Sequence, residues 1–176
     1  MKSFAILAVL TWFAGIAVSP AADSAMPKVG DKAPLVEGKT QDGASWKLAG
    51  DIGKQVVLLY FYPKDGTPGC TKEACGFRDG IAALKKQGVE VIGVSVDSGE
   101  SHQKFIAKYD LNFPLIADTD GAIAGTYGVR MPDKAMARRV SFLIGLDGKV
   151  VHVTDSPNAD VHLAEMKEAA RKIGGS

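Results

Sequence analysis

Both cysteines of the 176-residue chain, Cys70 and Cys75, fall in one short stretch, YFYPKDGTPGCTKEAC, which runs from Tyr60 to Cys75. A disulfide that serves as a staple closes a long loop, because the entropy it removes from the unfolded chain grows with loop size. A C-x4-C pair stabilises little in that way, so it points to reactive thiols rather than to architecture. Thr67 and Pro68 stand just ahead of Cys70. Thr67 suits a helix N-cap, and Pro68 suits the first helical position, where its missing N–H costs nothing. Cys70 then falls in the first turn, where unpaired amide N–H groups and the positive end of the helix dipole favour a thiolate. A free thiol with a pKa of about 8.5 is ionised only to a few per cent at neutral pH, so this placement bears directly on reactivity.

Ala74, Phe77, Ile81 and Leu84 recur at helical spacing and predict an amphipathic helix that Gly88 closes. Cys70 is in line with that stripe and is expected to be sheltered from bulk water. Cys75 is off the stripe, near Arg78 and Asp79. A sheltered thiol and a more exposed one suit an attacking and a resolving cysteine. The plainer reading, Cys70 as a small core hydrophobe after a helix start, leaves Cys75 unexplained. Five residues along an ideal helix place two Cα atoms roughly 8.7 Å apart, and a disulfide needs them within about 7 Å. The two thiols therefore cannot bond while that helix is continuous. Oxidation is expected to unwind its first turns, helped by Gly69 and Gly76, glycine being a weak helix former.

The elements that must position these residues are legible around them. Val56 to Tyr62 (VVLLYFY) is nearly all apolar, β-branched or aromatic, the pattern of a strand buried on both faces. Val89 to Val96 is a second such strand, expected to run parallel to the first across the intervening helix. A helix over Ser101 to Tyr109 and a short strand near Phe113 to Ala117 follow. Asp42-Gly43 and Asp147-Gly148 read as hairpin turns, the second joining strands Val140–Ile144 and Lys149–Thr154. A last helix carries Leu163, Met166, Ala170 and Ile173 on one face. This order predicts a thioredoxin-like α/β domain: a central mixed sheet flanked by helices.

The whole-chain composition, 46% hydrophobic and 23% charged, fits one globular domain. Lys2 precedes an apolar stretch, Phe4 to Val18, that is shorter than the ~18 residues of a membrane span. Ser19-Pro20-Ala21 then supplies small residues for signal peptidase. Residues 1–21 are thus expected to be a cleaved secretory signal and 22–176 the exported domain, periplasmic or extracellular, with no stable membrane association. Cleavage after Ala21 removes one of 21 basic residues and leaves no net charge against the 20 acidic ones. No basic run exists to bind nucleic acid.

Pro63, Thr67 and Cys70 form P-x3-T-x2-C, and with Cys75 the stretch closely resembles the active-site loop of peroxiredoxins. Within them it resembles the bacterioferritin-comigratory, or Q-type, branch, whose second cysteine lies five residues after the first. The resemblance runs from Gly30-Asp31-Lys32-Ala33-Pro34 to the final helix, and Arg139 in RRVSFLI matches the family's active-site arginine.

It implies a thiol peroxidase. The Cys70 thiolate would reduce hydrogen peroxide or an organic hydroperoxide, becoming a sulfenic acid. The Thr67 hydroxyl would accept from and donate to the peroxide oxygens, Arg139 would favour the thiolate and the leaving oxygen, and Pro63 would limit water. Cys75 would condense with the sulfenic acid to a disulfide, reduced in turn by thioredoxin or another dithiol donor. No cofactor or metal is implied, and the branch suggests a monomer. Glu73 occupies a common family position and equally suits a helix N-terminal acid.

The competing classes fit less well. A thioredoxin-like thiol–disulfide oxidoreductase needs C-x-x-C and a proline just before a later strand, whereas Pro132 lies well ahead of Val140. A metallochaperone needs a histidine poised with the cysteines, and His102, His152 and His162 read as ordinary side chains. A binding module with a structural bridge leaves the P-x3-T-x2-C spacing as coincidence.

Overall fold

The computed structural model describes residues 24–174, so the inferred signal and its cleavage region lie outside the described residues. Strand β3 (Val56–Phe61) is buried along its whole length. Its side chains alternate between two cores, with Val56, Leu58 and Tyr60 in one and Val57, Leu59 and Phe61 in the other. Successive residues of a strand point to opposite faces, so a strand covered on both faces must be apolar throughout.

On one side β3 pairs in parallel with β4 (Val89–Ser95), and β4 with β5 (Leu115–Ala117). On the other it pairs antiparallel with β6 (Val140–Ile144), and β6 with β7 (Val150–Asp155). The sheet order is β5-β4-β3-β6-β7. Helices α1 (Pro68–Lys86), α2 (Gly99–Tyr109) and α4 (Ala159–Gly174) supply the helical residues of one core. The opposite core takes Leu48 from a 3-10 turn and Ile123 and Ala124 from α3 (Ala122–Thr126). A small hairpin, β1 (Glu37–Lys39) with β2 (Ser45–Lys47), turns through Asp42-Gly43. This is the expected thioredoxin-like α/β arrangement.

Most strand ends shift by a residue or two from the sequence reading, and two helices differ more informatively. Helix α2 starts at Gly99 because the Ser98 hydroxyl accepts from the Ser101 amide at 3.3 Å. Helix α3 was not anticipated, since five residues show no period; the Asp118 carboxylate starts it by accepting from the Ile123 and Ala124 amides, both at 2.9 Å. Helices α1 and α4 pack closely at Gly76, where an added Cβ would collide with Leu163.

Candidate active site

The register of β6 against β3 positions the charged end of the site. Val140 lies opposite Phe61, so Arg139 stands beside the end of β3, where the chain leaves through Pro63 and Thr67 into α1. Cys70 is in the first turn of α1 and only 1% exposed. The Arg139 Nη2 donates to its Sγ at 3.2 Å. Gly69 makes room for this, because a Cβ there would sit 3.1 Å from Nη2.

Through Nη1 the same guanidinium donates to Glu73 Oε2, forming an ion pair with a fully buried carboxylate. Burial raises Glu73, against the lowering effect of Arg139, to a pKa of about 7. Burial alone would lower Arg139, but Glu73 and Cys70 outweigh it and hold the guanidinium above its ordinary value.

The sequence expects Pro63, Thr67, Cys70, Cys75 and Arg139 in one site; the structure joins Arg139 to Cys70 and to the cavity that Pro63 lines, sets Thr67 just before α1, and leaves Cys75 further along that helix. Thr67 occupies the N-cap position in extended backbone, but its hydroxyl makes no capping bond. It donates instead to the Lys64 carbonyl at 3.2 Å, which corrects the expected capping role. Pro63 lines a cavity of about 320 Å³ with Met131, Arg139 and Pro157 among its walls. Cys70 is not among the lining residues; Arg139 is common to cavity and thiol.

Cys75 is half-buried, and both cysteines are free. Its neighbour Arg78 donates to the Tyr109 carbonyl at 2.5 Å and pairs with Asp79 at 2.8 Å.

Because α1 runs unbroken through both cysteines, a bond between them requires its first turns to open. Amide hydrogen exchange is expected to show lower protection across Thr71–Arg78 in the oxidised protein than in the reduced one. Equal protection, with the intramolecular disulfide established by mass spectrometry, would exclude unwinding.

The loop between β3 and α1 is held from outside the site. Asp65 accepts from Tyr62 Oη at 2.7 Å and Ser101 Oγ at 2.8 Å, and meets His102 Nδ1 at 2.9 Å. Burial opposes ionisation of Asp65, but these partners outweigh it and hold the carboxyl below its usual range. His102 also faces the Ile116 carbonyl at 3.2 Å, a structural setting. Among the described residues no three metal-ligating groups cluster.

Sequence reasoning left Glu73 undecided, read His162 as an ordinary side chain, and gave Tyr60 and Ser141 no role beyond their strands. Glu73 is three residues after Cys70 and four before Phe77, so the phase of the buried stripe could have shown it facing inward. His162 stands four before buried Met166 on α4 and carries the same signal.

Residues 29–153 match the model of the AhpC/TSA family. Peroxiredoxin Bcp of Escherichia coli K12 is 44% identical over 153 residues, covering 81% of this chain and 97% of the relative. The crystal structure of peroxidoxin BcpB from Mycobacterium tuberculosis superposes with a TM-score of 0.79 at 33% identity, covering 84% of this chain and 98% of that one. A peroxiredoxin Q structure from Xanthomonas campestris gives 0.72 at 31% identity, over 79% of this chain and 91% of that one. A buried thiol under a guanidinium at a helix start, on this sheet and with these relatives, has one reading: the chain belongs to the AhpC/TSA family, on its peroxiredoxin Bcp/Q branch.

Proposed function

We propose that this thiol peroxidase works through Cys70 as the attacking residue and Cys75 as the resolving one. The observation that carries the assignment is the Arg139 Nη2 at 3.2 Å from Cys70 Sγ in the first turn of α1. The thiolate attacks the terminal oxygen of the peroxide; an S–O bond forms, the O–O bond breaks, and the leaving oxygen takes a proton to become water or an alcohol. Arg139 favours both the thiolate and the charge developing on that oxygen. The Cys75 thiol then attacks the sulfenic sulfur, an S–S bond forms and water leaves. A thioredoxin-type dithiol returns the pair to thiols. Pro63 lies on the wall of the adjoining cavity and would limit water there, and Thr67 would turn its hydroxyl from Lys64 to the peroxide.

Because both thiols lie in one chain, the cycle needs no second copy, which supports a monomer. The Lys2 and Phe4–Val18 pattern supports export to an oxidising compartment. A C-x4-C pair in a continuous helix does not favour a thiol–disulfide exchange enzyme. The test is peroxide consumption with thioredoxin or dithiothreitol, run beside Cys75→Ser. That variant is expected to complete the first oxidation and accumulate the sulfenic acid, trapped by dimedone. Normal turnover of Cys75→Ser with thioredoxin would remove Cys75 from the mechanism.

A further inference from the structure

Behind the Cys70–Arg139 pair lies a second, wholly buried contact that the mechanism above does not use. The carboxylate of Glu73 gives Oε2 to Arg139, while its buried Oε1 has no hydrogen-bond partner. The group facing Oε1 is His162 of α4, whose Nδ1 is 3.6 Å away, both side chains being 0% exposed. At that distance no hydrogen bond is formed, and an unpaired charged oxygen in such a place is costly.

The tautomer of His162 follows from its partners. Its Nε2 is 2.8 Å from the Ser156 carbonyl, which can only accept, so Nε2 carries a hydrogen. In the neutral ring Nδ1 is then an acceptor, taking the Ser141 hydroxyl hydrogen at 2.7 Å. An ionised Glu73 would set Oε1 against that acceptor with no hydrogen between them. One proton removes the conflict. On Oε1 it leaves a neutral acid facing Nδ1, and on Nδ1 it makes a cation facing Oε1, with the Ser141 hydroxyl turning to accept.

We propose that Glu73 and His162 hold one proton between them, and that this proton leaves the charge of Arg139 free to serve Cys70. His162 is thus a positioning residue for the peroxidase reaction, acting through Glu73; the inference rests on the thiol-peroxidase reading. With the proton present the pair is neutral wherever the proton resides, and Arg139 is balanced by the Cys70 thiolate. With the proton lost the pair is an anion, Arg139 is claimed by Glu73, and both the thiolate and the leaving oxygen lose support.

The surrounding groups do not offer another source for this titration. Tyr60 of β3 feels both Glu73 and Cys70, but burial raises its phenol well above the ordinary value. Arg139 of β6 is raised as well. His162 is lowered by burial and by the charge of Arg139, with the Ser156 carbonyl, Glu165 of α4 and Asp155 of β7 acting in the opposite sense. Glu73, raised to about 7, is the member positioned to titrate in the neutral range. The sign follows: the supporting proton is present below that value and lost as pH rises through it.

The experiment is the pH dependence of the first oxidation of Cys70 by hydrogen peroxide, measured by competition with a haem peroxidase. The wild-type rate is expected to fall on the alkaline side. Glu73→Gln, which cannot lose a proton, is expected to abolish that fall. His162→Gln supplies N–H donors to Oε1 and cannot take the proton, so it should move the fall to lower pH by roughly one unit. In the Glu73→Gln background His162→Gln should have no further effect on the profile.

A wild-type rate with no alkaline fall, or a fall that persists in Glu73→Gln, overturns the proposal even if His162→Gln does not fold. An unshifted fall in folded His162→Gln also overturns it. Failure of the wild type to consume peroxide at any pH would instead defeat the thiol-peroxidase reading itself, and the proposal with it.

Discussion

Cys70→Ser is expected to lose peroxide reduction with every thiol donor while keeping its fold. A serine hydroxyl is not ionised at neutral pH, and the helix start and Arg139 cannot supply a nucleophile that is absent. The substitution exchanges one small buried side chain for another, so circular dichroism and thermal melting should change little. Cys75 cannot substitute, because it lies half-buried further along α1 and the guanidinium serves Cys70. Turnover above a few per cent of wild type in Cys70→Ser would remove Cys70 as the attacking residue.

Arg139→Ala should produce the second large effect, on rate and stability together. Loss of an electrostatic donor aimed at developing charge costs roughly 10²- to 10³-fold in rate. An unchanged rate of peroxide attack would show that Arg139 does not act on Cys70.

The stability cost arises at Glu73, whose ionised form would be left buried and unpaired as pH rises past about 7; leaving a buried charge without its partner costs up to about 3–5 kcal/mol. Its pH dependence has a definite sign. Glu73 is raised from 4.5 to about 7 in the folded protein. Its contribution is therefore fully present below its unfolded value and is lost as pH rises through the folded value. Without Arg139 to lower it, the folded value moves higher still. Thermal melts should show the deficit of Arg139→Ala growing as pH rises above about 7, where Glu73 ionises beside Arg139 in the wild type but not in the variant. A deficit that stays constant from neutral to alkaline pH would mean that Glu73 is not what the missing guanidinium exposes.

Much of this molecule is legible along the chain because its signals are local. The apolar run of β3, the stripe of α1 from Ala74 to Leu84 and the Asp-Gly turns each declare themselves within a few residues. Helix α3 does not, since its start depends on Asp118 reaching the Ile123 and Ala124 amides rather than on any period. The Thr67 hydroxyl is a further case: the residue takes the N-cap position, but the hydroxyl is turned to the Lys64 carbonyl and caps no α1 amide.

The thiols, their spacing, the helix start that favours a thiolate and the geometric bar to a disulfide within one helix follow from sequence alone, because each depends on residues that are neighbours in the chain. What the tertiary structure decided is the charge of the site. Arg139 meets Cys70 only because β6 pairs with β3, and Glu73 meets His162 only because α4 packs on α1. An acid in the second turn of an exposed helix would be an ordinary solvated group. Enclosed between helices and sheet it loses water, its ionisation moves to about 7, and it becomes part of the electrostatics of a thiol. Burial and contact across long sequence separations set that outcome, and neither is written in any local pattern of residues.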